Sequence, residues 1–212
     1  MKFSTVTALA GILAALMLSG CATSVSTLDP DLSAFTLQNN EAATKTAYIR
    51  SVKDKRVFAE NAPANMPTWS NDGSHEEARA VGRKRTGFGR ASGGLVLPEG
   101  QTAAGVVKSA LSQALIDNGY KVIDDKDQVT EETRVLDVDM DQFWNWIQMG
   151  FWTLAVNGDM KAKVQSAGQQ EPVTVEAHVT RRSVAVTDNS WLRVLNETIQ
   201  KFYQDARDKL KF

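Results

Sequence analysis

The chain has 212 residues, 24 Lys and Arg against 25 Asp and Glu, and a formal net charge of −1. That balance gives no global case for a nucleic-acid partner, which a basic surface would signal. A single cysteine, Cys21, excludes an internal disulfide, and one cysteine with two histidines argues against a structural zinc site.

Met1-Lys2 is a short basic start, and Val6 to Leu18 (VTALAGILAALML) is an unbroken apolar run. About 13 residues fit the h-region of a secretory signal and fall short of the ~20 that span a bilayer. Leu18-Ser19-Gly20-Cys21 follows and resembles the bacterial lipobox, Leu-[Ala/Ser]-[Gly/Ala]-Cys, in all four positions. The resemblance implies that residues 1–20 are a lipoprotein signal peptide, cut before Cys21. It further implies a diacylglycerol on the Cys21 sulfur and an N-acyl chain, such as palmitate, on the new amino group. Each buried methylene contributes ~0.8 kcal/mol, so three chains hold a protein at a membrane permanently. Ala22 and Thr23 stand where bacterial sorting rules read Asp as inner-membrane retention, which points to the outer membrane with the domain facing the periplasm. The alternative is a plain secreted protein cleaved at a small-residue site.

Residues 21–44 read as the lipidated cysteine and a flexible tether. Ala22 to Thr44 is small and polar, with Pro30 and no sustained period. About 23 flexible residues span ~26 Å. Residues 45–212 are long enough for one domain with its own core.

Lys45 to Arg56 reads as a strand, with Ala47, Ile49 and Val52 inward. Ser74-His75-Glu76-Glu77 matches a capping box and predicts a short helix ending near Gly82. Gly82 to Gly94 reads as a glycine-rich loop. Thr102 to Asn118 is the clearest helix, with an apolar stripe through Val106, Val107, Ala110, Leu111, Ala114 and Leu115 and with Gly119 as its C-terminal stop. Tyr120 to Ile123 reads as a short strand. From Thr133 the period changes to two. Leu136, Val138 and Met140 share one face; Leu154, Val156, Met160, Ala162 and Val164 share another; Val173, Val175, Ala177 and Val179 form a third strand. A phase slip at Arg181-Arg182, before Val184 and Val186, suggests a bulge. Asp188 or Asn189 can cap a last helix to about Lys211, with Trp191, Val194, Leu195, Thr198, Phe202 and Ala206 as its stripe. The expected class is α+β: a mainly antiparallel sheet, made of a three-strand C-terminal meander plus N-terminal strands, with helices packed on one face.

Gln142 to Trp152, QFWNWIQMGFW, concentrates aromatic surface. Unbroken strand phase puts Trp144, Trp146 and Trp152 on the core side and Phe143, Ile147 and Phe151 on the other, as a candidate interface. A hairpin core, an exposed tip for a protein partner or membrane, and a sugar-stacking platform all remain open. Asp137, Asp139 and Asp141 have the start of calcium-loop spacing, but Gln142 and Gln148 replace the required Gly and Glu. A solvated strand face, answered by Lys161 and Lys163 next door, fits better. Arg79, Arg83, Lys84, Arg85 and Arg90 have no acid among them. They form either a solvated basic loop or a candidate binding loop for an anionic partner, such as lipid headgroups, lipopolysaccharide or an acidic protein. Gly87, Gly89 and Gly93 fit neither nucleotide-binding glycine pattern. His75 and His178 lie in no catalytic motif, and a triad needs a base with an orienting acid.

The lipobox, the early strand ending in VKDKR, SALSQALIDNGYKVIDD, LDVDMDQFWNW, and a closing hairpin and helix together resemble YajG-type uncharacterised bacterial lipoproteins. The resemblance covers most of the mature chain and carries over only Cys21 by position. It implies a non-catalytic accessory or structural component of a cell-envelope assembly of transport, appendage or flagellar type. Such a component has no cofactor beyond the covalent lipid on Cys21, and its partners are the membrane and an envelope protein or a second copy. The rival expectation is a periplasmic lipoprotein that recognises an anionic lipid or glycan through the basic loop and aromatic hairpin.

Overall fold

The computed structural model describes residues 25–35, 38, 42–60, 62–68, 76–86 and 89–212. The signal segment, Cys21 and the Ser74-His75 half of the expected capping box lie outside the described residues. Strands β1 (Ser26–Thr27), β2 (Lys45–Asp54), β3 (Ala80–Arg85) and β4 (Ala91–Val96) precede helix α1 (Ala103–Asp117). Strands β5 (Tyr120–Ile123), β6 (Arg134–Met149), β7 (Leu154–Ser166) and β8 (Val173–Ser183) follow, and helix α2 (Asp188–Lys209) closes the chain. The class is α+β, as the sequence predicts: one eight-stranded sheet with two helices packed against it.

β6 is the spine. Its 16 residues span roughly 50 Å at ordinary strand rise. One edge pairs along its length with β7, antiparallel, and β7 pairs with β8 in the expected meander. The other edge is shared. Its first half takes β2 in parallel, from Ala47 opposite Arg134 to Asp54 opposite Met140, and β5 lies beyond β2. Its second half meets β3 in parallel, with Gly82 opposite Asn145, and β4 and β1 lie beyond β3.

Both helices cover one face and touch each other. Thr102 Oγ1 accepts the Gly105 N–H at 3.0 Å, and Gly119 takes a positive φ of 86° at the stop. The predicted stripes of both helices are buried, with Ile199 added in α2. α2 lies so close to the sheet that a Cβ on Gly158 would fall 2.4 Å from Thr198 Oγ1. The predicted strand face of β7 (Val156, Met160, Ala162, Val164) is core.

Four expectations need correction. Residues 25–35 are not tether: Leu28 and Phe35 belong to the core, and Ser26-Thr27 pairs with Leu95-Val96. Glu76 to Arg79 form a turn that leads straight into β3, so the helix predicted to run to Gly82 does not extend there. The glycine-rich stretch is the β3–β4 hairpin; Gly82 is required by pairing, since a Cβ there would lie 2.7 Å from the Asn145 carbonyl oxygen. The slip at Arg181-Arg182 is no bulge. β7 and β8 stay in register to Ser183, where the strand ends.

Two bulges do reset the phase. Between Ile49 and Ser51 the register with β6 skips Arg50, which keeps Val52 over the core. The extra residue uses its side chain: the Arg50 guanidinium binds the Asp137 carboxylate, which holds that carboxyl below the usual aspartate range. Between Met140 and Gln142 the register with β7 skips Asp141, and its carboxylate meets Lys163 Nζ at 2.9 Å.

Candidate functional site

The Asp141 bulge decides which aromatics are where. Every residue after it changes face relative to an unbroken alternation. Phe143, fully buried, joins Met140 and Met160 in the helix-covered core, and Ile147 packs against the same core. Trp144 and Trp146 are buried too, but on the helix-free face. The Trp144 indole N–H donates to the Ala64 carbonyl at 3.3 Å and its ring meets Phe58 edge-on, while Trp146 stacks obliquely on His178. The expected two-face division of this stretch is thus reversed, and Phe143 and Ile147 are not an interface.

The tip itself is exposed. Gly150 donates its N–H to the Thr153 carbonyl at 2.9 Å, and a Cβ at Gly150 would lie 2.7 Å from that oxygen, so the turn is built around glycine. Phe151 is 90% and Trp152 83% exposed, their rings edge to face with centroids 4.7 Å apart. Trp152, expected in the core, sits in solvent because it lies beyond the last paired residue of β6 and before the first of β7. Met149 adds a half-exposed side chain, and Val184, 86% exposed, follows Ser183, which pairs with Leu154 at the foot of the same turn. Four apolar side chains thus project from one end of the sheet.

The predicted basic cluster is dispersed by the hairpin. The Arg79 guanidinium donates to the Leu97 carbonyl at 2.9 and 2.7 Å and pairs with Glu76. Arg83 is buried, 4% exposed. Lys84 Nζ donates to Ser26 Oγ at 2.5 Å and pairs with Asp188 at 3.3 Å. The Arg85 guanidinium donates to the Gly89 carbonyl at 3.0 Å and the Ala62 carbonyl at 2.9 Å. Arg90 is exposed in the β3–β4 turn. Most of the charge that reads as a free binding loop fastens the hairpin to its surroundings.

Position along the sheet matters more than clustering. β3 runs parallel to β6, so the β3–β4 turn points to the same end as the β6–β7 tip. β8 runs parallel to β6 as well, so Arg181, Arg182 and the start of α2 lie there too. β1 runs the opposite way, so Val25, just ahead of it, lies toward that end.

Two groups were not legible as sites. Arg56 is buried. Its guanidinium donates to Asp54 (2.6–3.1 Å), to the Glu77 carbonyl at 2.7 Å, the Ala80 carbonyl at 2.5 Å and the Phe143 carbonyl at 3.1 Å. It ties the end of β2 to β3 and to the bulged stretch of β6. On the helix-free face, His178 Nδ1 lies 2.5 Å from Asp159 Oδ1, His178 Nε2 lies 2.9 Å from Thr180 Oγ1, and Thr180 donates to Asn157 Oδ1 at 2.7 Å. That chain of partners arises because Asp159 sits directly opposite His178 across β7 and β8, a pairing only the register reveals. The side chains lie on an open, solvated sheet face, where a proton relay has no walls to exclude water.

No family model matches the chain, and no curated protein matches it. A solved structure of an uncharacterized protein is similar over 88% of this chain and 95% of that one, with 12% identity and a TM-score of 0.42.

Proposed function

We propose that the chain is an outer-membrane lipoprotein, anchored by acyl chains on Cys21. Its periplasmic domain serves as a non-catalytic accessory or structural component of a cell-envelope assembly. The observation that carries the anchor is Leu18-Ser19-Gly20-Cys21 after an apolar run of signal-peptide length. The resemblance to YajG-type lipoproteins rests on the same residues and on the order of strands and helices behind them. Among the described residues no helix is long and apolar enough to cross a membrane. A binding role is supported by the exposed apolar side chains of Met149, Phe151, Trp152 and Val184 gathered at the β6–β7 tip.

The test is membrane fractionation of a Cys21→Ser variant. The unaltered protein stays with membranes through a carbonate wash and needs detergent for release. The variant is expected to leave the membrane fraction. Retention of the variant in the detergent-requiring fraction would overturn the anchor.

A further inference from the structure

We propose that the β6–β7 tip is a second membrane contact: Met149, Phe151, Trp152 and Val184 dip into the interfacial layer of the phospholipid surface to which Cys21 is anchored. The inference rests on the lipoprotein reading and adds an orientation to it.

Three observations converge on one end of the sheet. First comes the position of the chain entry. Ser26 lies opposite Leu95, Leu95 lies opposite Gly82, and Gly82 lies opposite Asn145, so Ser26 and Asn145 stand at one level along the strands. β6 continues from there for four residues to Met149, about 13 Å. Val25, one residue ahead of β1, lies on the tip side of Ser26. Cys21 to Val25 is four Cα steps, at most about 14 Å. That length lets an acylated Cys21 reach the plane of the tip and little further. A membrane holding it faces this end of the molecule.

Second is the apolar tip. Phe151 and Trp152 are nearly fully exposed on a turn held by Gly150, with Met149 and Val184 beside them. Water gains nothing from this arrangement, and exposed apolar groups gathered at one point mark an interaction site. Trp suits the headgroup layer, with an apolar ring and one N–H donor.

Third is charge. Arg90, Arg182 and Arg193 are exposed at this end, and Asp188 and Glu197 there are paired with Lys84 and Arg181. The opposite end exposes acids, Glu131, Glu132 and Glu171, together with cations, Lys45, Lys126, Lys209 and Lys211. Anionic headgroups attract the unpaired arginines of the first end, while the second end carries both signs. A protein partner would not require the nearby anchor.

The experiment uses the full-length protein purified from membranes and reconstituted into phosphatidylethanolamine–phosphatidylglycerol vesicles, with and without bromine on the acyl chains. Retention on the vesicles through a carbonate wash reports the anchor separately. For retained protein, brominated lipid is expected to lower tryptophan emission, and Trp152→Phe is expected to abolish that loss while the other tryptophans still emit. Retained protein whose emission ignores bromine, or is quenched equally without Trp152, overturns the tip contact and leaves the anchor standing. Emission from Trp152 that is blue-shifted yet insensitive to bromine reveals cover by a second copy or another protein, and also overturns it. Protein washed off the vesicles overturns the anchor, and the orientation with it.

Discussion

Arg56 shows how much of this fold hangs on one side chain. Its guanidinium is buried and serves Asp54 and three backbone carbonyls drawn from the turn before β3, from β3 itself and from β6. Removing one partner of a buried charge pair typically costs ~3–5 kcal/mol, because the other charge and the acceptors stay desolvated. Arg56→Ala is expected to lose that much in urea denaturation followed by tryptophan fluorescence; a loss below about 1 kcal/mol would mean that water replaces the guanidinium. In the sequence Arg56 is simply the last residue of a charged run, VKDKR, and nothing local distinguishes it from the solvated Lys53 and Lys55. Arg79, Lys84 and Arg85 are similar: their glycine-rich surroundings read as a loop, yet their partners, Leu97, Ser26 and Ala62, are distant in sequence. Cationic side chains are legible as charge, while the carbonyls that fix them are legible only in the fold.

Among the elements, α1 and α2 were plain in the sequence, because a 3.6-residue stripe between caps is a local signal. The strands of the meander were plain for the same reason, with period two. The facing of β6 beyond Asp141 was not. Met140 and Phe143 are three apart, and both Phe143 and Trp144 are apolar, so composition cannot locate the single inserted residue. The N-terminal strand β1 was missed because two residues carry no period, and Leu28 and Phe35 are isolated apolar positions. The reversal has a measurable consequence. Phe143→Ala should destabilise the protein by ~3–5 kcal/mol through lost burial and an unfilled cavity. A Phe151→Ser/Trp152→Ser double variant should change stability by less than about 0.5 kcal/mol, since neither ring is buried. Equal losses in the two variants, measured by chemical denaturation, would place the tip in the core. The exposed edge of β8 is also managed at this scale. Asp205 of α2 accepts the Glu176 N–H at 2.9 Å, and Lys209 and Lys201 donate to the Thr174 and His178 carbonyls. The last helix thus covers ladder groups that would otherwise recruit another strand.

At the scale of the whole molecule, one end of the sheet gathers Val25 ahead of β1, the aromatic tip, exposed arginines and the start of α2. Strand direction alone produces this gathering: β3, β6 and β8 run toward the tip, and β1 runs away from it. The proposed membrane contact uses that end, and the proposed means of holding it there is acylation of Cys21. Intact-mass spectrometry of the protein extracted from membranes tests that most directly. The expected mass is that of a chain beginning at Cys21 with a diacylglycerol and one further acyl chain added. A mass matching an unmodified chain, whether it begins at Met1, Cys21 or any other residue, would contradict the lipid anchor.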